Sequence, residues 1–372
     1  MKVLVVGAGF AGAVVARECA DAGMSVTVVD RLPYVGGSAA DHVVDGIRQG
    51  RHGAHLFQTS NTRVVRWLDR FTDWVPYRHK SVCRFDDETF VPFPLNADSM
   101  RMLVDRGLGS VPKPGASGPP GSALKVLAPV LSPDIIERFF GRYVNKMWDL
   151  PLDRLPGSIV RRVMPRRDRS VDYFSGAKFQ ALPADGYTSL FQRMLAHPNI
   201  TLRLGAANSR DDQMAADFVF SSQSIDSHYG YRFGTLRYRS IRFHTRHCSP
   251  LDGAGHVTIN RTDQSRITRE TYWHNLPGHV LQAGIGLVTC EEPCDWTEAG
   301  RFRHYPAETL GGVDAEIYAT YAAHAATDSD RIRFVGRCGT YRYLNMDQVI
   351  MQSLQTAHHW LAMQNAAQPS LR

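Results

Sequence analysis

Residues 2–15 read KVLVVGAGFAGAVV, and this stretch decides the fold. Lys2 to Val6 is a short β-branched run that stops at Gly7. Such a run reads as a strand buried in a parallel sheet. Residues 10–22 then follow helical spacing up to Gly23, and a second strand, Ser25 to Val29, ends in Asp30. Strand, helix and strand within about 30 residues make one βαβ unit. Gly7 permits the tight turn, Gly9 lets a pyrophosphate approach the backbone, and Gly12 lets helix and strand pack closely. The helix that opens at Phe10 and Ala11 offers free N–H groups and a positive dipole to phosphates. Asp30, at the end of the second strand, can accept from ribose hydroxyls. Together these predict an adenine dinucleotide site. A glycine-rich turn that binds nothing explains neither the setting nor Asp30.

Asp30 is followed by Arg31 and then by Gly36, Gly37 and Ser38. This continuation resembles the extended FAD motif of the glutathione-reductase-type flavoproteins, so FAD is expected rather than NAD. Near the other end, a strand RIRFVG (331–336) leads into Arg337, and Asn345, Met346 and Asp347 open a helix that runs to Gln364. That pattern resembles the second FAD contact of the same superfamily. A helix N-terminus aimed at the flavin would stabilise negative charge on its reduced form.

Between these ends the hydrophobic periodicity changes twice. From Leu95 to Leu150 it is helical, interrupted by PKPGASGPPG (112–121), which is expected to be a mobile loop. From Leu236 to Thr289, segments such as RYRSIRF (237–243) and HVTIN (256–260) alternate like antiparallel strands. The expected fold is α/β. It has a Rossmann-type FAD-binding domain built from 1–96, a returning segment near 195–235, and 321–372. A helical substrate domain is inserted at 97–170, and a mostly antiparallel sheet domain spans 171–320.

At 372 residues the chain can hold two or three domains. It contains no apolar run of 18 residues, so no transmembrane helix is expected. The glycines near the N-terminus argue against a signal peptide, and a cytoplasmic protein is expected. Six scattered cysteines form no metal-ligand pattern; reduced thiols and no metal are expected. The net charge of +7 favours an acidic partner. No nucleic-acid-binding motif accompanies it, and the densest basic cluster is Arg161, Arg162, Arg166, Arg167 and Arg169. That cluster reads equally as a solvated loop or a phosphate clamp.

The whole chain resembles the UDP-galactopyranose mutase family. The matching segments are VGAGFAGAVVAR (6–17), GAHLFQT (53–59), Pro94-Leu95-Asn96, and Phe139 to Tyr143 running on to Lys146-Met147-Trp148. Tyr173-Phe174, Lys178-Phe179-Gln180, FGTLRYRS (233–240), Arg266-Ile267-Thr268 and Tyr341-Arg342-Tyr343 continue the match in order. The resemblance implies a flavin-dependent isomerase that interconverts the pyranose and furanose forms of a nucleotide-diphosphate sugar. In that family reduced FAD attacks the anomeric carbon through N5, the sugar ring opens in the adduct, and it recloses with no net redox change.

The resemblance also implies roles. Arg162 and Arg266, with His55 and Asn345, match catalytic positions. Tyr173, Tyr305 and Tyr343 match hydroxyl donors to the diphosphate, and Asn96 and Arg239 match further substrate contacts. Phe139 and Tyr143, four apart on a helix, match the aromatics that hold the base. Trp148 matches a tryptophan beside a mobile loop that carries Arg162. His55 also matches a flavin-proximal position, as do Arg337, Met346 and Asp347. The partners implied are a nucleotide-diphosphate sugar and an external electron donor, with a homodimer possible. Three departures stand out: Asn345 for Asp, Gln58 for a second His, and Arg269 for the Glu after Arg-Ile-Thr. They leave the sugar and base open. They also leave open a non-catalytic nucleotide-sugar binder, while the two FAD motifs alone fit an amine-oxidase-like oxidoreductase.

Overall fold

The protein is described by a computed structural model that covers residues 1–85, 87–108, 118–279, 284–298, 300 and 302–367. Its centre is a five-stranded parallel sheet in the spatial order Ile200–Leu204, Ser25–Asp30, Lys2–Val6, Phe218–Ser221, Ile332–Phe334. Val3 stands between Val26 and Phe218 in register. The glycine turn therefore lies at the carboxyl end of the middle strand, where an open α/β sheet binds its ligand.

Helices Phe10–Asp21 and Met346–Ala367 pack together on this sheet. Val14 and Ala16 from the first, and Ile350, Leu354 and Trp360 from the second, share one buried cluster with Phe218 and Phe220. The Trp360 ring lies 4.7 Å from Phe218. Each such large apolar side chain contributes about 1.5–3 kcal/mol by leaving water. The first helix ends one residue earlier than its spacing predicts, and the last runs three residues further. The strand expected at 331–336 stops at Phe334, because Gly336 takes a left-handed φ of 75° and starts a short helical turn.

A second, seven-stranded sheet runs Tyr305–Pro306, Tyr238–Cys248, Gly286–Asp295, Arg269–Tyr272, Thr258–Arg261, Ser81–Arg84, Phe90–Phe93. All its pairings are antiparallel except that of Thr258–Arg261 with Ser81–Arg84. Residues 81–93, expected within the first FAD-binding segment, thus supply two strands to this other sheet. Packing explains it: Val82 is buried against Ile259, Tyr272 and Val288.

Short helices span the next region: Ala97–Asp105, Ala123–Leu127, Pro133–Ile136, Arg142–Trp148 and Gly157–Val160. Asn96, Ser122 and Ser132 cap the first three by accepting from backbone N–H groups. Between Ile136 and Arg142 the helix widens into a π-turn, Glu137–Gly141, a feature frequent at functional sites. Of the Pro/Gly-rich stretch, residues 112–117 lie outside the described residues; Pro119–Gly121 lead into the Ser122 cap.

Candidate active site

Two cavities meet in the middle of the molecule. The first, of about 540 Å³, lies along the glycine turn and is lined by Gly7, Gly9, Phe10, Ala11, Asp30, Arg31, Gly37 and Ser38. Gly7 has φ +106°, and a Cβ there would stand 2.0 Å from Ser222 Oγ. A Cβ on Gly12 would stand 1.8 Å from the Gly7 carbonyl oxygen. Helix Phe10–Asp21 has glycine at its N-cap, no side-chain cap and no acidic residue in its first turn, so its first N–H groups await an anion. Asp30 accepts from Ala8 N at 2.7 Å and Leu32 N at 2.8 Å, which holds the carboxylate at the lip. Asn208, also on the wall, has a buried Oδ1 with no partner. A long glycine-floored cradle with free N–H groups and an orphaned acceptor fits an adenine dinucleotide.

The second cavity, of about 550 Å³, lies between the helical region and the seven-stranded sheet. Among the described residues, His55, Arg337 and Met346 line both cavities. The structure gathers Phe139, Tyr143, Trp148, Arg162, Tyr173, Tyr305, Tyr343 and Asn345 on the second cavity's wall, with Gln58. Tyr305 and Tyr343 stack at 5.5 Å, and Trp148 meets both edge-on at 6.0 and 5.7 Å. The Arg162 guanidinium stands 4.9 Å above the Tyr343 ring and donates to Asn345 Oδ1 at 2.5 Å. Arg337 donates to the Leu344 and His304 carbonyls, which fixes its charge where the cavities join. Phe139 lines the cavity and also meets Phe85 edge-on at 5.5 Å, so it is both wall and core.

Four expected contacts lie elsewhere. Asn96 is fully buried as a helix cap; its amide donates to the Arg169 and Ser170 carbonyls, tying the arginine-rich loop down. Arg239 is turned beneath helix Arg142–Trp148 and donates to the Met147 and Lys146 carbonyls. Asp347 accepts from Thr59 at 2.8 Å and joins the last helix to strand Phe57–Thr59. Arg266 is 87% exposed and 3.8 Å from Glu292. Strand alternation explains this last case. Glu291 and Glu292 point to opposite faces; Arg269 pairs with Glu291 on the cavity side, while Arg266 follows Glu292 outward.

Other wall residues carried no sequence signal of a role: His52, His79, Arg261 and Glu291. Of the basic cluster, Arg162 and Arg166 reach the wall, and Arg169 pairs with Asp98 at the surface.

Burial governs the protonation states. It lowers His55 and His52 to about 4 and His79 to about 3, so all three are neutral at pH 7. His55 Nδ1 lies 3.1 Å from the Gly53 carbonyl, which can only accept; Nδ1 therefore carries the proton and Nε2 keeps its lone pair. Burial raises Tyr143 to about 12 and lifts Tyr173 and Tyr305 as well, so these phenols remain O–H donors. Fixed cations and neutral donors on one wall suit a dianionic diphosphate.

A parallel-sheet dinucleotide cradle that opens onto an arginine- and tyrosine-lined cavity defines a flavoprotein that brings FAD to a second, anionic ligand. A family model for an NAD(P)-binding Rossmann-like domain matches residues 5–71, and the model for UDP-galactopyranose mutase matches residues 138–343. The chain belongs to the UDP-galactopyranose mutase family and is an FAD-dependent mutase. It is 28% identical to a dTDP-fucopyranose mutase of Escherichia coli, over 97% of this chain and 98% of the relative. It is 27% identical to a probable UDP-galactopyranose mutase of Klebsiella pneumoniae, over 97% and 95%. Its fold superposes on the crystal structure of a reduced UDP-galactopyranose mutase with TM-score 0.73 at 15% identity, covering 97% and 94% of the two chains. A putative protoporphyrinogen oxidase from Exiguobacterium gives TM-score 0.65 at 13% identity, over 97% and 99%, a likeness of fold alone.

Proposed function

We propose that the second cavity takes a nucleoside-diphosphate hexose, with its sugar toward His55 and Met346 and its base toward Phe139 and Tyr143. The carrying observation is the convergence of Arg162, Tyr305, Tyr343 and Asn345 beside the wall that both cavities share. When bound and reduced, FAD supplies the electron pair for covalent catalysis at the anomeric carbon. The protein's part is to hold the leaving diphosphate close enough to return. Arg162 neutralises it, and the Tyr173, Tyr305 and Tyr343 hydroxyls donate to it. Stacking on Phe139 anchors the base. His55, neutral with a lone pair at Nε2, can accept from a sugar hydroxyl without adding charge. The test is to count products per FAD after a single anaerobic reduction, supplying UDP- and dTDP-hexoses. Many turnovers per reduction are expected; a ceiling of one would make the protein a net oxidoreductase.

A specific observation favours a sugar other than galactose. Asn345 meets Arg162 with a neutral amide where the resemblance expects a carboxylate, so the guanidinium keeps its full charge for the diphosphate. The amide also changes which sugar hydroxyls find partners. The relative named dTDP-fucopyranose mutase supports including dTDP-sugars in the panel.

We further propose an external electron donor, a cytoplasmic setting and, for the assembled form, a homodimer. Six free cysteines support a reducing compartment. No helix among the described residues is long and apolar enough to cross a membrane. The division at 96, 170 and 320 remains our reading of the domains, with strands 81–93 lent to the second sheet.

A further inference from the structure

A third cavity, of about 470 Å³, opens to solvent beside the place where the other two meet. His52 lines it together with the substrate cavity, while Phe302 and His304 line it together with the dinucleotide cleft. One layer of side chains therefore separates this space from each of the others. His52, His55 and His304 stand near enough to bear on one another's protonation. The third cavity thus abuts the junction that a cofactor's reactive ring must reach to meet a sugar.

Its floor is aromatic and uncharged. Phe302 stacks on His52 at 4.3 Å, nearly parallel at 16°, and its ring lies 4.4 Å from His304. Phe243 meets His52 edge-on at 6.1 Å and His304 at 5.5 Å. Burial lowers His52 to about 4 and holds His304 well below its ordinary value, so neither ring carries charge at pH 7. The rim is cationic. Arg31 and Arg51 are exposed at the mouth, Arg31 over the Phe302 ring at 5.6 Å and Arg51 over Tyr34 at 4.6 Å. Among the described residues, no carboxylate lines this cavity. Rings below and guanidiniums above fit a flat, conjugated ligand with an acidic tail, the ring to stack and the tail to pair. The chemistry proposed above makes no use of Phe243, Phe302 or Arg51, and it leaves one need unmet, the external electron donor.

We propose that the third cavity is the docking site of that donor, and that the donor is a small planar electron carrier with an anionic tail, of the class of reduced flavin mononucleotide (FMN). Hydride transfer needs reacting atoms about 3–3.5 Å apart, which the intervening wall of Phe302, His52 and His304 prevents; electrons cross that single aromatic layer instead. The carrier gives up two electrons, releases one proton to solvent and leaves oxidised. Reduction of the cofactor takes up the same two electrons and one proton, so nothing else is consumed. Delivery from this side leaves the substrate cavity free. The inference rests on the reading that an external donor reduces the FAD.

The test is calorimetric binding to the oxidised, FAD-loaded protein, with FMN and riboflavin as probes. FMN should bind alongside a full complement of FAD, with an affinity that saturating UDP does not change. Riboflavin, which has the ring without the phosphate, should bind about 5- to 10-fold more weakly. Arg51→Gln should weaken FMN binding by a similar factor and leave riboflavin alone. Chemically reduced FMN, mixed anaerobically with the protein, should be oxidised more slowly by Arg51→Gln at equal sub-saturating concentration, followed by the fluorescence of the oxidised FMN. Once fully reduced by dithionite, both proteins should turn over nucleotide sugar alike. Absence of FMN binding, FMN displaced by UDP, FMN bound only by flavin-depleted protein, or equal FMN affinity in wild type and Arg51→Gln would overturn the proposal. FAD that is isolated reduced and stays so in air would overturn the external-donor reading instead, whatever FMN does.

Discussion

The dinucleotide cleft and the substrate cavity are similar in volume, about 540 and 550 Å³, but they are made of different material. The cleft is backbone: glycines that exclude a Cβ, helix N–H groups without a cap, and one carboxylate pinned by two amides. The cavity is side chain: tyrosines, arginines and histidines delivered by two sheets and a run of short helices. A backbone site tolerates no added atom at its turns, whereas a side-chain site loses function in graded steps.

The sharpest test of that difference is Gly12→Val. Its Cβ would meet the Gly7 carbonyl at 1.8 Å, so the purified protein should carry no flavin, read as loss of the bound-flavin absorbance. Normal flavin content in this variant would break the comparison at its root. In the cavity, Arg162→Ala should lower kcat by about 10²–10³-fold, the loss typical of one donor to a developing charge. Its melting temperature should stay put, because the exposed side chain carries little packing. A parallel fall in stability would make Arg162 structural instead.

The cavity's histidines predict a pH response. Native His52, His55 and His79 titrate near 4, 4 and 3, against about 6.5 for an unfolded histidine. Between those values the unfolded chain binds more protons, so stability is full above pH 6.5 and falls as pH drops toward 4. The slope is up to about 1.4 kcal/mol per pH unit for each group. Urea midpoints at pH 7.5 and pH 5 should show the decline, and His79→Asn should flatten it. Smaller still, Asn96→Ala should cost about 1–2 kcal/mol for its cap and loop bonds, with little change in KM. Arg266→Ala should sit within about 0.5 kcal/mol of wild type in stability, with unaltered kcat/KM, as for a side chain in solvent.

The same contrast explains what could be read from residue order. The glycine turn, Asp30 and the helix at Met346 are local, and local rules state their positions. Tyr143, Tyr173, Tyr305 and Tyr343 could be named because ordered motifs carry them, though nothing in their spacing says they share one wall. Arg266 and Arg269 show where this stops. Both sit in one short motif, and only the pairing of strand Arg269–Tyr272 with Gly286–Asp295 decides which of them faces inward. Asn96 and Arg239 show another limit. A polar side chain can match a motif and still be required by a helix end or an exposed carbonyl, and which need it meets depends on contacts more than 70 residues away.

The central sheet carries a consequence for how the molecule is made. Its middle strand, Lys2–Val6, lies far ahead in sequence of its neighbours on one side, residues 218–221 and then 332–334. Gly336 closes against Ala11, where a Cβ would come within 2.7 Å. The helix that packs on Phe10–Asp21 follows later still. A ribosome must therefore deliver residues 218–221 and 332–336 before the cradle at Gly7 has its walls. Contacts of such long sequence separation slow folding, so a nascent chain waits, with an apolar strand unpaired on one side, until strand Phe218–Ser221 emerges.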